Sequence, residues 1–237
     1  MEKGAFKRGI KDGFPICLGY LSVSFAFGIF AVESGFSVAE ALLLSTCCVT
    51  SAGQLAAVPI IASLGGFVEL ILSQVVINLR YSLMSVSLSQ KLDEKVTFAD
   101  KLLIAFVNTD EVFAVASGQK GNVNKQYMFG LILTPWAGWT VGTLMGAVAG
   151  NVLPAIVIAS LGIAIYGMFV AIVTPVAKKD RPTLLCVLMA IILSCLFYYV
   201  PMLNRVPSGF SVIICTVIAS AVMAIVAPVK KEEDENA

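Results

Sequence analysis

Two short stretches place charged side chains inside runs that are otherwise apolar. The run 66–90 carries Asn78 and Arg80 near its middle, within NLRYSL, and a second run carries Asp110 and Glu111 at its centre, within NTDE. An arginine at membrane depth keeps its charge and costs about 2.5–3.5 kcal/mol on the insertion scale. It therefore needs a counter-charge, backbone carbonyls or water. We predict that Arg80 contacts Asp110 or Glu111, directly or through one water.

A third polar stretch, TSAGQ at 50–54, interrupts the apolar run 37–64, and Pro59 follows it. Small residues allow another backbone to come close, and a helix N-terminus beside such a break can hold a carboxylate. We predict that 37–64 and the short run 102–118 are broken or re-entrant. The first break contributes three predicted site residues: Ala52, Gly53 and Gln54.

Each of these polar groups also has an architectural interpretation. A buried Arg–Asp pair can simply lock two helices together, and Gln74 and Asn78 can serve as interhelical hydrogen-bonding groups. The pattern of side chains leaves both interpretations open.

The run 66–90, taken as a helix, carries two polar stripes. With 100° between successive side chains, one arc holds six polar residues and a narrow stripe nearly opposite holds three. The broad arc comprises Gln74, Asn78, Tyr81, Ser82, Ser85 and Ser89, and the narrow one Ser73, Arg80 and Ser87. We expect this helix to be central, with protein or water on both sides.

The composition is that of a membrane protein. Of the 237 residues, 58% are hydrophobic and 13% are charged, with a mean hydropathy of +0.91. Soluble domains carry about 25% charged residues. A net charge of +1 argues against a nucleic-acid partner. The length suits one compact bundle in a lipid bilayer.

The chain has no histidine, which excludes Ser-His-Asp proteolysis, HExxH metal chemistry and haem ligation by histidine. It has no P-loop. Its six cysteines lie within apolar runs and show no CxxC spacing. We predict that the protein is not an enzyme and holds no metal and no cofactor.

Eight apolar segments approach the length of about 20 residues that spans a bilayer core as a helix. They are 14–32, 37–64, 66–90, 102–118, 126–149, 152–176, 183–203 and 208–228. The sequence predicts an all-α polytopic integral membrane protein. Residues 1–228 form a single transmembrane transporter domain, and residues 229–237 form a solvated, charged tail.

Lysine and arginine accumulate in cytoplasmic loops, which tests the topology. If all eight segments cross the membrane, the loop 91–101 lies outside with three lysines. If 37–64 and 102–118 dip into the membrane and return, every lysine-rich loop lies inside. Both topologies, with six or eight crossings, put both termini in the cytoplasm, and the charges favour the re-entrant one.

Four motifs together resemble a known family. FPICLGYLSVSFAFG, SAGQ, NLRYSL and NTDEVFAVAS occur in the first four segments, in that order. Over essentially its whole length, the chain resembles the AzlC-like large subunit of branched-chain amino acid exporters, the LIV-E family. It departs from the family pattern at Tyr81, where histidine is common, and at Ser51, where glycine is common.

The resemblance implies a multi-pass secondary transporter of the bacterial cytoplasmic (inner) membrane. It implies export of leucine, isoleucine, valine and related apolar amino acids, coupling to protons, and an AzlD-like small membrane subunit as partner. Matched by position, it implies these site residues: Ala52, Gln54, Asn78, Arg80, Asp110 and Glu111.

A zwitterionic amino acid needs a place for its carboxylate, an acceptor for its ammonium group and an apolar pocket. Arg80 or the helix end at 50–54 suits the carboxylate, and Asp110 or Glu111 suits the ammonium group. The candidates for the pocket are Phe25, Phe27, Phe106 and Phe113. A passive channel for small polar solutes and a non-transporting scaffold subunit, with dry packing around Arg80, remain alternatives.

Overall fold

The computed structural model describes residues 4–150 and 180–227, with isolated positions between these ranges. The predicted segment 152–176, apart from such isolated positions, and the predicted tail 229–237 lie outside the described residues. The described helices are α1 (Ala5–Glu33), α2 (Val38–Cys47), α3 (Ser51–Ala62), α4 (Phe67–Lys91), α5 (Phe98–Phe106), α6 (Asp110–Ser117), α7 (Lys125–Gly150), α8 (Arg181–Tyr199) and α9 (Ser208–Val226).

The all-α prediction is confirmed, because the described residues form helices and no strand. Five of these helices, α1, α4, α7, α8 and α9, are long and apolar enough to cross a membrane. The segments 37–64 and 102–118 are each divided into two short helices, as the sequence predicted. At about 1.5 Å per residue, each of these four helices reaches only partway across a bilayer core.

Helix α1 packs along α7, and glycines on α7 make the close approach possible. A Cβ added at Gly130 would lie 2.2 Å from the Phe6 carbonyl oxygen, and one at Gly146 would lie 1.9 Å from that of Phe25. Residue numbers in both helices rise together along the contact, so α1 and α7 are parallel. These glycines of α7 therefore allow tight contact between two helices of the chain.

Gly146→Ala is expected to destabilise the protein by about 1–3 kcal/mol, because its methyl group would force two backbones apart. Thermal unfolding in detergent measures the effect. Gly19→Ala is the matched control, since no atom of the described residues lies within 4 Å of a Cβ added there in α1. Equal unfolding temperatures for the two variants would show that α1 and α7 do not depend on this contact.

The side of the bundle where α1 begins is called the near side, and the side where α1 ends is called the far side. Helix α2 runs from the far side toward the middle, since Ala41 and Ala147 belong to one core cluster and Ser45 contacts Thr143. Helix α3 returns toward the far side, since Val58 joins the same cluster as Ala147. Segment 37–64 is therefore a re-entrant hairpin from the far side.

The second pair of short helices enters from the near side. At the beginning of α5, Asp100 pairs with Lys125, the first residue of α7, at 3.6 Å. After α5, Asp110 reaches the middle of α4 at Arg80. Helix α6 then returns, because the Ser117 carbonyl accepts a hydrogen bond from Lys91 at the near-side end of α4. The contacts select the re-entrant topology that the loop charges favoured.

Helix α9 agrees with this topology. The start of α9 lies at the far side, where Glu69 accepts a hydrogen bond from the Gly209 N–H at 2.8 Å. Glu69 belongs to the first turn of α4, and α9 runs from there toward the near side. The start of α1 and the end of α9 therefore both lie on the near side.

The expectation that α4 is central is wrong for the described part of the chain. Val75, Leu79 and Leu83 are each more than half exposed, so α4 lies at the edge with an apolar face uncovered. The projection placed this apolar stripe between the two polar stripes, where a lipid or another protein can cover it. Two polar stripes indicated two contacts, and the structure has one for each stripe: Gly53 of α3 lies against Gln74 of the broad arc, and Asp110 of α6 pairs with Arg80 of the narrow one.

Candidate functional site

Of the two predicted partners of Arg80, Asp110 and Glu111, the structure places Asp110 in contact with it. Arg80 Nη1 lies 2.8 Å from Asp110 Oδ2, and the two side chains are 54% and 46% exposed. Arg80 also donates to the Tyr81 hydroxyl at 3.0 Å, and its guanidinium lies 4.8 Å from the Tyr81 ring centre. The long side chain therefore passes over the Tyr81 ring and reaches α6. The described residues therefore do not enclose this pair.

Glu111 has a different partner from Asp110. The Tyr20 hydroxyl of α1 donates to Glu111 Oε2. The Tyr20 ring meets Trp139 of α7 edge to face, with 5.2 Å between ring centres. The two neighbouring acids at the start of α6 are thus held by different helices, Asp110 by α4 and Glu111 by α1.

Gln54 is fully buried, and both ends of its amide are engaged. Its Oε1 accepts from the Trp139 indole at 2.9 Å, and its Nε2 donates to Ser45 Oγ at 2.9 Å. Ser45 in turn shares a 2.7 Å hydrogen bond with Thr143. The indole can only donate, so the orientation of the Gln54 amide is fixed. This network fastens the far-side hairpin to α7, and Gln54 positions the first break.

Gly53 brings the start of α3 against α4. A Cβ at Gly53 would lie 2.7 Å from Gln74 Oε1 and 3.2 Å from Asn78 Nδ2. Its carbonyl oxygen accepts from Gln74 Nε2 at 2.9 Å. Asn78 Nδ2 in turn donates to Gln74 Oε1 at 3.1 Å. The absence of a side chain at Gly53 therefore leaves the space that the Gln74 and Asn78 amides occupy.

The first turns of α3 and α6 converge from opposite sides on the middle of α4. Ala52, half-buried, lies in the first turn of α3, and Asp110 and Glu111 lie in the first turn of α6. The N-cap of α3, Thr50, makes no side-chain cap hydrogen bond, whereas Thr109 caps α6 by accepting from the Val112 N–H. Helix N-termini carry partial positive charge and unpaired N–H groups, which suit an anionic group.

Two buried amide oxygens near these helix ends have no hydrogen-bond donor among the described residues: Asn78 Oδ1 and Asn108 Oδ1. Asn108 lies in the tip of the near-side hairpin and donates to Ser85 Oγ of α4 at 3.0 Å. The donors of Asn78 face carbonyl oxygens of Gln74, so its amide cannot be turned over to remove the unpaired acceptor. Both oxygens are suited to a ligand that donates hydrogen bonds.

The four phenylalanines predicted for an apolar pocket do not gather at one place. Phe27 belongs to the far-side core cluster, Phe113 packs against the larger core cluster, and the Phe25 backbone abuts Gly146. Phe106 lines an apolar cavity of about 260 Å³ beside the tip of the near-side hairpin. The other lining residues are Phe6, Leu103, Val107, Phe129, Ile132, Leu133 and Trp136.

Reasoning from the sequence missed Tyr20 and Trp139, which connect the two hairpins. Neither residue lies in a polar break, and an aromatic residue inside an apolar run is typical of an ordinary core residue. The available signal was chemical, because a buried tyrosine hydroxyl or indole N–H usually has a hydrogen-bond partner. Tyr20 lies in the first motif, FPICLGYLSVSFAFG, that carried the family resemblance.

Fold and site together define a multi-pass membrane protein with two re-entrant hairpins that meet at a charged centre. Residues 15–153 match the family model described as AzlC protein. The chain therefore belongs to the AzlC family, as its motifs indicated.

Curated relatives agree with this assignment. The Escherichia coli protein called Inner membrane protein YgaZ is 30% identical over 79% of this chain and 78% of its own length. An uncharacterized membrane protein of Archaeoglobus fulgidus is 33% identical over 75% of this chain and 78% of its own length. An uncharacterized membrane protein of Helicobacter pylori is 26% identical over 62% of this chain and 66% of its own length. No solved structure matches the chain.

Proposed function

We propose that this protein is a secondary transporter that exports branched-chain and related apolar amino acids across a bacterial cytoplasmic membrane. The observation that carries the proposal is the half-exposed Arg80–Asp110 pair at the point where the first turns of α3 and α6 converge. Re-entrant half-helices with N-termini at mid-membrane are a recurrent device for holding small ionic substrates in transporters. A scaffold subunit has no need of an accessible ion pair there.

The centre offers complementary groups for a zwitterion. Arg80 and the free N–H groups in the first turn of α3 suit the carboxylate of the substrate. Asp110, Glu111 and the unpaired oxygen of Asn78 suit the ammonium group, which donates three hydrogen bonds. The apolar cavity beside Val107 suits an aliphatic side chain; its lining includes Val107, three positions before Asp110, but none of the polar residues of the centre. Binding energy then comes from ionic contacts common to all amino acids, and selectivity comes from the apolar wall.

Proton coupling is part of the proposal. With no histidine in the chain, a carboxylate is the natural proton carrier. When the substrate carboxylate takes Arg80 as its partner, Asp110 loses its counter-charge and can accept a proton. Exchange of the two partners of Arg80 would link cargo binding to proton binding.

The proposal also includes an AzlD-like small membrane subunit, as the family resemblance implies. The apolar face of α4, which is exposed in the described part of the chain, supports it, since this face adjoins the half-exposed Arg80. Lipid covers an apolar stripe well, but it does not satisfy a neighbouring ion pair. A partner helix, or water held by one, meets both requirements.

An efflux assay tests the function. Cells preloaded with leucine, valine or azaleucine should release them faster when this protein and the small subunit are both produced, and an acidic amino acid should not be released faster. Collapse of the proton gradient should abolish the difference. A passive channel would release the amino acids even without a proton gradient, and it would release polar solutes at the same rate. If none of these amino acids is released faster, the transport proposal is contradicted.

A further inference from the structure

The two re-entrant hairpins resemble each other in sequence. SVAEALLL at 37–44 aligns with TFADKLLI at 97–104, with an alanine and two leucines identical. Three further pairs are conservative: Ser with Thr, Glu with Asp, and Leu with Ile. The structures agree, because α2 and α5 both begin with a capping box, and α3 and α6 both begin after an N-cap threonine, Thr50 and Thr109.

The two hairpins belong to units of opposite direction. Each hairpin follows a crossing helix, α1 before the far-side hairpin and α4 before the near-side hairpin. Helix α1 runs from the near side to the far side, and α4 runs the other way. The chain from α1 to α6 is thus an inverted repeat, the arrangement that lets transporters expose one central site alternately to the two sides.

The repeat contains a matched pair of contacts. The first turn of α6 is held by α1, through the hydrogen bond from Tyr20 to Glu111. The first turn of α3 is held by α4, through the 2.9 Å hydrogen bond from Gln74 Nε2 to the Gly53 carbonyl oxygen. In both cases the crossing helix of one unit holds the half-helix of the other unit.

We infer that Tyr20 and Gln74 are positioning residues that act as the gates of the central site, Tyr20 for the near side and Gln74 for the far side. This inference rests on the proposed transport function and adds the residues that decide which side the site faces. Release of Glu111 from Tyr20 frees the near-side hairpin and opens a path from that side. Release of Gly53 from Gln74 frees the far-side hairpin in the same way.

Each hairpin is also held by a second set of contacts, and these differ between the two hairpins. Besides Gln74, the far-side hairpin is fastened to α7 by the buried Gln54 network. Besides Tyr20, the near-side hairpin is fastened to α4 by Arg80, whose ion pair is half exposed. Both gates are closed in this structure. Loss of one gate should therefore shift the protein toward exposure on that side alone.

A native thiol reports which side is open. Cys48 lies half-buried in the tip of the far-side hairpin, with its sulfur 3.1 Å from Thr50 Oγ1. The five other cysteines are replaced by alanine, and a membrane-impermeant thiol reagent is added to inside-out or right-side-out vesicles.

The expected size of the change in labelling follows from the hydrogen bond that each variant lacks. Loss of one hydrogen bond changes a conformational equilibrium by about fivefold.

Tyr20→Phe should raise the labelling rate of Cys48 from the near side about fivefold and lower it from the far side. Gln74→Met should do the opposite. Tyr198→Phe and Gln90→Met, at exposed positions of α8 and α4, are the matched controls and should leave both rates unchanged. A merely structural role would not move the two rates in opposite directions.

The inference is overturned if both variants shift labelling toward the same side, or if neither shifts it while the protein remains folded. Should Tyr20→Phe fail to fold, Glu111→Gln weakens the same contact from its other end and should give the same near-side shift. The labelling needs no substrate. Opposite shifts without export of leucine would therefore retain the gates and reject the proposed cargo.

Discussion

Export of leucine is expected to fall at least about tenfold when Arg80 is replaced by glutamine, because a charged hydrogen-bonding partner of the substrate is lost. Glutamine keeps the length and polarity of the side chain but removes its charge. The same change leaves Asp110 without its counter-charge. Initial efflux rates in vesicles, divided by the amount of protein in the membrane, measure the effect.

Two comparisons separate a role in transport from a role in architecture. Arg205→Gln, at an exposed position between α8 and α9, should export at the normal rate. Arg80→Lys keeps the charge but not the planar fork, so it should recover part of the activity. Export by Arg80→Gln at the normal rate, with an unchanged unfolding temperature, would leave the ion pair without a function in transport.

Asp110→Asn is expected to abolish the response of export to a pH gradient while the protein stays folded. Asparagine has nearly the shape of aspartate but carries no proton at physiological pH and no negative charge. Cargo binding can then no longer be exchanged for proton binding at this position. Efflux measured with and without an imposed pH gradient, at equal membrane potential, gives the answer.

Glu94→Gln is the control for this change, since Glu94 is exposed in the connection between α4 and α5. Glu111→Gln asks whether the neighbouring acid is the proton carrier instead. Normal pH-dependent export by Asp110→Asn would remove Asp110 from the coupling mechanism. Loss of the pH response in Glu111→Gln, but in neither Asp110→Asn nor Tyr20→Phe, would transfer that role to Glu111.

Much of the site was predictable because polar groups at membrane depth have few acceptable surroundings. Arg80 required a counter-charge, and the acids at comparable depth were Asp110 and Glu111. The lysines of the loop 91–101 favoured re-entrant hairpins, and contacts such as Ser117 with Lys91 agree. These predictions needed only the charge, the length and the position of each segment.

The role of Gln54 was not predictable in the same way. The sequence marks it as a polar residue in a break, which suits a ligand or a neighbouring helix equally. The Trp139 indole, 85 positions away in the chain, engages its amide oxygen, and Ser45 engages its nitrogen. Which of the two roles a buried amide takes depends on what packs against it, and sequence alone does not supply that neighbour.

The sequence by itself determined the membrane class, the two interrupted segments and the charged pair at their meeting point, since each follows from the cost of polar groups in hydrocarbon. Only the tertiary structure decided that Asp110 pairs with Arg80 while Glu111 pairs with Tyr20. Helix periodicity fixes the direction in which a side chain leaves its own helix. The partner it meets depends on how several helices pack, here α4 against α6 for Asp110 and α1 against α6 for Glu111.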